Sequence, residues 1–271
     1  MIEKKVMVKW KNGEPSIPLY YLENMRDGTD TLVVYLHGAA SRENPVFPYY
    51  NGRGVSGHVD ASFILFSDPM RFLDETLDTS IGWYCSPHEE EKIITTMSSL
   101  IKQAQRRFKK VLIISGSAGG IPSVRICKNL EGVFCFVWNP QTDIQEYYRG
   151  HIDRWKKISK WSKPSLNEIM LGPELYVDSN YYWILQKGDD TQHFEKHFVP
   201  LCKSLGITVD IESDFSMVSD KNILLHVGNW SEQQGHVAVP RATQISFLQD
   251  FVKESNPKDK FNTNYFRKWD V

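Results

Sequence analysis

The sequence predicts an α/β fold: a mostly parallel central sheet with helices on both faces. Three observations lead there. Short apolar runs rich in β-branched and aromatic residues recur at "KVMVKW", "IPLYYLE", "TLVVYLHG", "SFILFSDP", "VLIISG", "VFCFVWNP", "YYWILQKG" and "NILLHVGN", and such runs read as strands. Helical patterns separate the later runs, and parallel strands need crossover helices and are buried on both faces. Finally, "KKVLIISGSAGGIPSVRI", Lys109 to Ile126, passes from a strand through a turn of Gly, Ser and Ala into a helix.

Bulk properties narrow the function classes. With 271 residues and a formal charge of -1, the chain suits one large α/β domain and has no global attraction to nucleic acid or an anionic membrane. "MIEKKVMVKW" lacks the apolar core of a signal peptide, and no run reaches the length of a membrane span. The chain therefore reads as cytoplasmic. Cys85, Cys127, Cys135 and Cys202 have no C-x-x-C spacing and read as reduced packing residues.

The clearest helix lies in "SPHEEEKIITTMSSLIKQAQRRF", with Ser86 as N-cap, Pro87 in the first turn and Glu89 completing a capping box. Ile93, Ile94, Met97, Leu100, Ile101 and Ala104 form its apolar face. A second helix follows Ser117, and a third is signalled by Ile245, Phe247, Leu248, Phe251 and Val252. The basic, aromatic segment 147–179 reads as a cap inserted over the edge of the sheet, and the polar tail 255–271 as loosely packed. The whole of 1–271 reads as one domain.

The serine turn carries the chemistry. At an abrupt strand-to-helix turn the apex side chain is exposed, and the residues two before and two after approach too closely for bulk. Here the apex is Ser117 and its flanks are Ser115 and Gly119, giving S-G-S-A-G. The Ala118 N–H at the helix start can donate to an oxyanion formed when Ser117 attacks a carbonyl. A phosphate-cradling loop is the rival reading, but the lysine of a P-loop and the G-x-G-x-x-G spacing are both missing.

Downstream, "YYWILQKG" is followed by Asp189 and Asp190, and "NILLHVGNW" by a loop ending in Gly235 and His236. His236 can act as general base, with a carboxylate holding its tautomer. Asp190 is favoured because it sits where the loop turns toward the next helix. Asp189 stays open, as does Asp143, whose simpler role is a helix cap. His226 reads as a packed strand residue, and His58, His88 and His151 belong to no pattern. His193 and His197 in "HFEKH" are four apart and could share a helical face, but the Glu is not next to the first His as H-E-x-x-H requires. A solvated helix face is expected there, and no metal.

With "YLHGAAS", "SGSAGG", "KGDD" and "GH" in this order, Thr31 to Glu254 resembles the α/β-hydrolase superfamily. "FSDP", "IGWYCSPHE" and "NPQTDIQEYY" are similar to blocks in bacterial proteins of capsule and surface-glycan biosynthesis, including hydrolase-fold proteins linked to glycan O-acetylation. The superfamily resemblance implies an α/β-hydrolase fold and the triad Ser117, Asp190 and His236. It also implies an oxyanion hole from the N–H groups of Ala39 and Ala118, with His37 structural. The expected activity is that of a serine esterase or O-acyltransferase, acetyl being the natural acyl group and a small-molecule or saccharide ester the substrate, with no cofactor. Two alternatives stand beside it, a serine peptidase and a scaffold that binds a glycan or partner without chemistry. Trp83 and Tyr84, with Trp155 and Trp161 of the insert, offer flat faces for sugar stacking.

Overall fold

The computed structural model describes residues 1–9, 16–40, 45–85, 90–159, 171–209, 216–218 and 222–271. Each of the apolar runs becomes a strand: β1 (Ile2–Val8), β2 (Ile17–Asn24), β3 (Thr31–Leu36), β4 (Ser62–Phe66), β5 (Lys110–Gly116), β6 (Phe134–Trp138), β7 (Tyr181–Lys187) and β9 (Ile223–Gly228). A further short strand, β8 (Ser216–Val218), has no signal in the sequence reading. The sheet order is β1-β2-β4-β3-β5-β6-β7-β9-β8. From β4 through β9 the pairings are parallel, and β1, β2 and β8 are antiparallel to their neighbours.

Burial on both faces follows the two-residue period of a strand. In β3, Leu32, Val34 and Leu36 pack into one core while Val33 and Tyr35 pack into the other. In β5, Val111 and Ile113 divide from Leu112 and Ile114 in the same way. Helices Glu90–Gln105 and Gly120–Lys128 cover the first face, and helix Arg241–Lys253 covers the second through Phe247, Leu248 and Phe251. Ser86, Pro87, His88 and Glu89 lie outside the described residues. Among the described residues no helix is long and apolar enough to cross a membrane, and all four cysteines are buried and unbridged.

At the periphery, the insert is described in part and one expectation changes. Helix Arg149–Ser159 of the insert buries Ile152 and Trp155, whereas 160–170, with Trp161, lies outside the described residues. The tail is docked rather than loose. It forms helical turns Pro257–Lys260 and Thr263–Phe266, and buries Phe261 and Phe266 completely against Phe247 and Phe136. The polar average of the tail hides two aromatics whose burial stabilises by roughly 1.5–3 kcal/mol each.

Candidate active site

The elbow is built by excluded volume. Ser117 stands at φ +54°, a left-handed conformation that β-carbon-bearing residues avoid unless the surroundings impose it. A Cβ on Gly116 would lie 2.2 Å from Trp138 Nε1, and one on Gly119 would lie 2.9 Å from Ser115 Cβ and 3.1 Å from the His37 carbonyl. Ser115 is tolerated where a glycine was expected because Gly119 opposite it is bare. Its Oγ accepts a hydrogen bond from Ser123 Oγ at 2.8 Å, so the added hydroxyl is satisfied.

Loop 37–40 lies directly on this turn: a Cβ on Gly38 would come within 2.8 Å of Gly116 O and 3.2 Å of Ser117 Cβ. His37 sets the loop. Its Nε2 accepts from the Asp68 N–H at 2.9 Å, so the ring proton is on Nδ1, which donates to Gly38 O at 2.7 Å. Burial lowers the His37 pKa to about 3, keeping the ring neutral. A trans peptide points its C=O and N–H in opposite directions, so tethering Gly38 O to His37 turns the Ala39 N–H away from that ring. Ala118 is second in the turn Ser117–Gly119, where its N–H has no acceptor within the turn.

Asp190 and His236 come from the loops after β7 and β9. Asp190 caps the turn Thr191–His193 and accepts from the His236 Nδ1 at 2.7 Å through Oδ2, and from the His193 Nδ1 at 3.2 Å through Oδ1. Burial works to raise the Asp190 pKa, but the two imidazole hydrogen bonds outweigh it and hold the carboxyl well below the usual range. An ionised carboxylate fixes the proton of His236 on Nδ1, leaving Nε2 as the basic atom. His193 stacks on His236 at 3.9 Å and 14° between planes.

The loop after β6 ties these parts together. Asn139, at φ +43°, receives the Lys187 N–H on Oδ1 at 2.7 Å and donates Nδ2–H to Val237 O at 3.1 Å, joining the acid strand to the histidine loop. Gln141 donates its backbone N–H to Ser117 O at 3.1 Å and its Nε2–H to Ser117 Oγ at 2.9 Å. Thr142 donates its N–H to His197 Nδ1 at 3.3 Å. Among the described residues no hydrogen bond joins Ser117 to His236. The sequence reading missed Asn139 and Gln141; amides immediately after a strand at the carboxyl edge are the signal that could have found them.

Several expectations are corrected here. Trp83 and Tyr84, expected to stack on sugar, are 0% and 1% exposed and offer no face to solvent. Trp83 packs edge-on to Trp155 and donates to Gln141, while the Tyr84 hydroxyl accepts from the His37 N–H at 3.0 Å. Both stand at positive φ, +52° and +54°. His193 and His197 are likewise buried, 1% and 0% exposed, rather than on a solvated face. Asp189 pairs with the buried Lys187 and Asp143 caps the turn Ile144–Glu146, leaving Asp190 as the carboxylate on His236.

Asp190, His193 and His236 present ligand atoms within 4.8 Å of one another and are the residues that could hold a metal. The near-parallel rings, however, send their lone pairs side by side rather than toward one point, and both Nδ1 atoms are engaged by Asp190. The donor set fits a carboxylate shared by two imidazoles better than a metal site.

No protein-family model matches the sequence, and no curated protein matches it. Among solved structures it is similar to the capsule O-acetyltransferase of Neisseria meningitidis serogroup A, with 12% identity and a TM-score of 0.59 over 91% of this chain and 98% of that one. It is similar to the glycosylation-associated Gap123 complex of Streptococcus agalactiae, with 12% identity and a TM-score of 0.58 over 94% of this chain and 47% of that one. It is also similar to the fluorophosphonate-binding serine hydrolase FphF of Staphylococcus aureus, with 12% identity and a TM-score of 0.53 over 93% of this chain and 99% of that one. At such identity the likeness is one of fold, and the chain has the α/β-hydrolase fold.

Proposed function

We propose that the protein is a serine esterase or O-acyltransferase working through an acyl-serine on Ser117, with His236 as general base, Asp190 as its orienting carboxylate, and the Ala39 and Ala118 N–H groups as oxyanion donors. The observation that carries this is the 2.7 Å bond from His236 Nδ1 to Asp190, which leaves Nε2 basic on the same rim of the sheet as a strained serine elbow. The contact from Ser117 Oγ to His236 Nε2 is the step left for substrate binding to complete; such contacts often tighten only in the Michaelis complex. The proton of Ser117 then passes to His236 as Oγ bonds to the acyl carbon, and His236 gives it to the departing leaving group; water or a sugar hydroxyl next gives its own proton to His236 as it takes the acyl group, and that proton returns to Ser117 Oγ.

Acetyl is the acyl group and a saccharide hydroxyl the acceptor in the transferase form of this reading. Likeness to a capsule O-acetyltransferase and to a glycosylation-associated protein supports it. The decisive experiment is Ser117→Ala assayed with an activated acetyl ester and a fluorophosphonate probe: both turnover and labelling should vanish. Labelling of the variant equal to wild type would end the proposal, and a wild-type protein that takes no label but binds a glycan would favour the scaffold reading. Intact mass after exposure to acetyl donors separates the two enzymes, since a transferase keeps its adduct until an oligosaccharide is added.

A further inference from the structure

The geometry points to Gln141 as a catalytic residue that stabilises Ser117 Oγ as it departs from the acyl group, with Trp83 as the positioning residue that orients it. This rests on the acyl-serine reading above. Gln141 is fully buried, and its two amide ends have distinct partners: Oε1 accepts from Trp83 Nε1 at 2.5 Å, and Nε2 donates to Ser117 Oγ at 2.9 Å. An indole N–H can only donate, so the oxygen of the amide must face Trp83 and its NH2 must face the serine. Trp83 itself is held at φ +52°, an uncommon conformation for a bulky residue. Trp155 packs on it and Tyr84 beside it is anchored to Phe66 O, so the indole is locked.

The hydrogen bond acts unevenly on the two half-reactions. In acylation, a donor on Oγ eases loss of the proton but also weakens the nucleophile, and the two effects offset. In deacylation, water or a sugar hydroxyl gives its proton to His236 and its oxygen bonds to the acyl carbon. The C–Oγ bond then breaks, its electron pair stays on Oγ, and His236 returns the proton there. Attack on an activated ester is early and gathers little negative charge on Oγ, whereas expulsion of Oγ from its own unactivated ester leaves it alkoxide-like, so the Gln141 donor is strengthened most in the latter transition state. Were the amide to flip, its Oε1 would accept the serine proton and divert it from His236, which is what the Trp83 bond prevents.

The test uses Gln141→Met, which keeps the volume and loses the donor, in steady-state and rapid-quench kinetics with an activated acetyl ester. The expected result is a kcat about 10- to 100-fold lower, a KM lower in proportion, kcat/KM little changed, and acyl-enzyme accumulating by intact mass. Trp83→Phe keeps an aromatic ring, though a smaller one, and removes the N–H; it should shift kcat and KM in the same direction by about threefold or more. Because Gln141 is buried, Trp83→Phe decides the matter if Gln141→Met does not fold. Wild-type kinetics in the folded variant, or equal loss of kcat and kcat/KM without accumulation, overturns the inference while leaving the Ser117 reading intact. Activity surviving Ser117→Ala would instead overturn the reading itself.

Discussion

At the elbow, Gly116 and Gly119 are bare because Trp138 and Ser115 already occupy the space a side chain would need. Across the rim, Asn139, Gln141 and Asp190 reach out with polar side chains to Lys187, Val237, Ser117, His193 and His236. The first region is shaped by excluded volume and the second by directed hydrogen bonds, yet each places a non-glycine residue at positive φ, Ser117 in one and Asn139 in the other. The difference teaches how each should fail: the elbow through misfit, the acid–base side through donors and acceptors left unpaired.

The largest expected effect falls on the acid–base side. Asp190→Asn preserves shape but presents an amide N–H to an imidazole N–H and removes the charge that fixes the His236 tautomer, so kcat should fall by about 10⁴-fold, with a lowered unfolding midpoint as well. Residual activity close to wild type would detach Asp190 from catalysis. Next is Asn139→Ala, which orphans the Lys187 N–H and Val237 O bonds and should destabilise by about 2–4 kcal/mol in urea unfolding. A neutral result there would break the contrast, since hydrogen bonding would then not be what holds the two loops.

Gly119→Ala tests the other side. Its Cβ would meet Ser115 Cβ at 2.9 Å, and the expected loss is about 1–3 kcal/mol together with reduced turnover. Ser115→Gly in the same chain should recover part of the loss by reopening the space; absence of any recovery would mean the nearby His37 carbonyl sets the limit.

The smallest effect per group and pH unit is that of each buried ring. His37, beside the elbow, and His197, beneath the acid, are both lowered from 6.5 to about 3, chiefly by burial. Folded pKa values below the unfolded ones mean that the unfolded chain binds protons the folded chain refuses. Stability is therefore full above pH 6.5 and falls between about 6.5 and 3, by up to about 1.4 kcal/mol per pH unit for each ring. Urea midpoints at pH 7.5 and 5.5 measure the sum, to which His193, also lowered by burial, adds, and His197→Gln should remove only its own share. Asp190, with its pKa lowered, adds to the loss only below the ordinary carboxylate range.

Much of this site was legible because its chemistry forces composition. A strand-to-helix turn around Ser117 must be made of small residues, and Asp190 and His236 each follow a strand whose apolar run marks where the rim will be. Gln141 and Asn139 carry only the weak mark of amides just after a strand, since an amide in "NPQTD" suits any polar loop. Trp83 and Tyr84 misled for a related reason: an aromatic's large surface serves equally to stack on sugar or to fill a core. Their burial and their hydrogen bonds with Gln141, His37 and Phe66 exist only in the folded structure. In the tail, Phe261 and Phe266 are read correctly only once Phe247 and Phe136 are found opposite them.

By itself the sequence determined the strands, the parallel sheet and the elbow, because hydrophobic period and steric exclusion act between residues close in the chain. The tertiary structure alone decided that Asp190 rather than Asp189 meets His236, that His193 shares that carboxylate, and that Trp83 orients Gln141 onto Ser117. Apart from the local bond between His193 and Asp190, three residues apart, those are hydrogen bonds between segments 24 to 58 residues apart. Their partners are chosen by distance and direction, which exist only after the sheet has brought the loops to one rim.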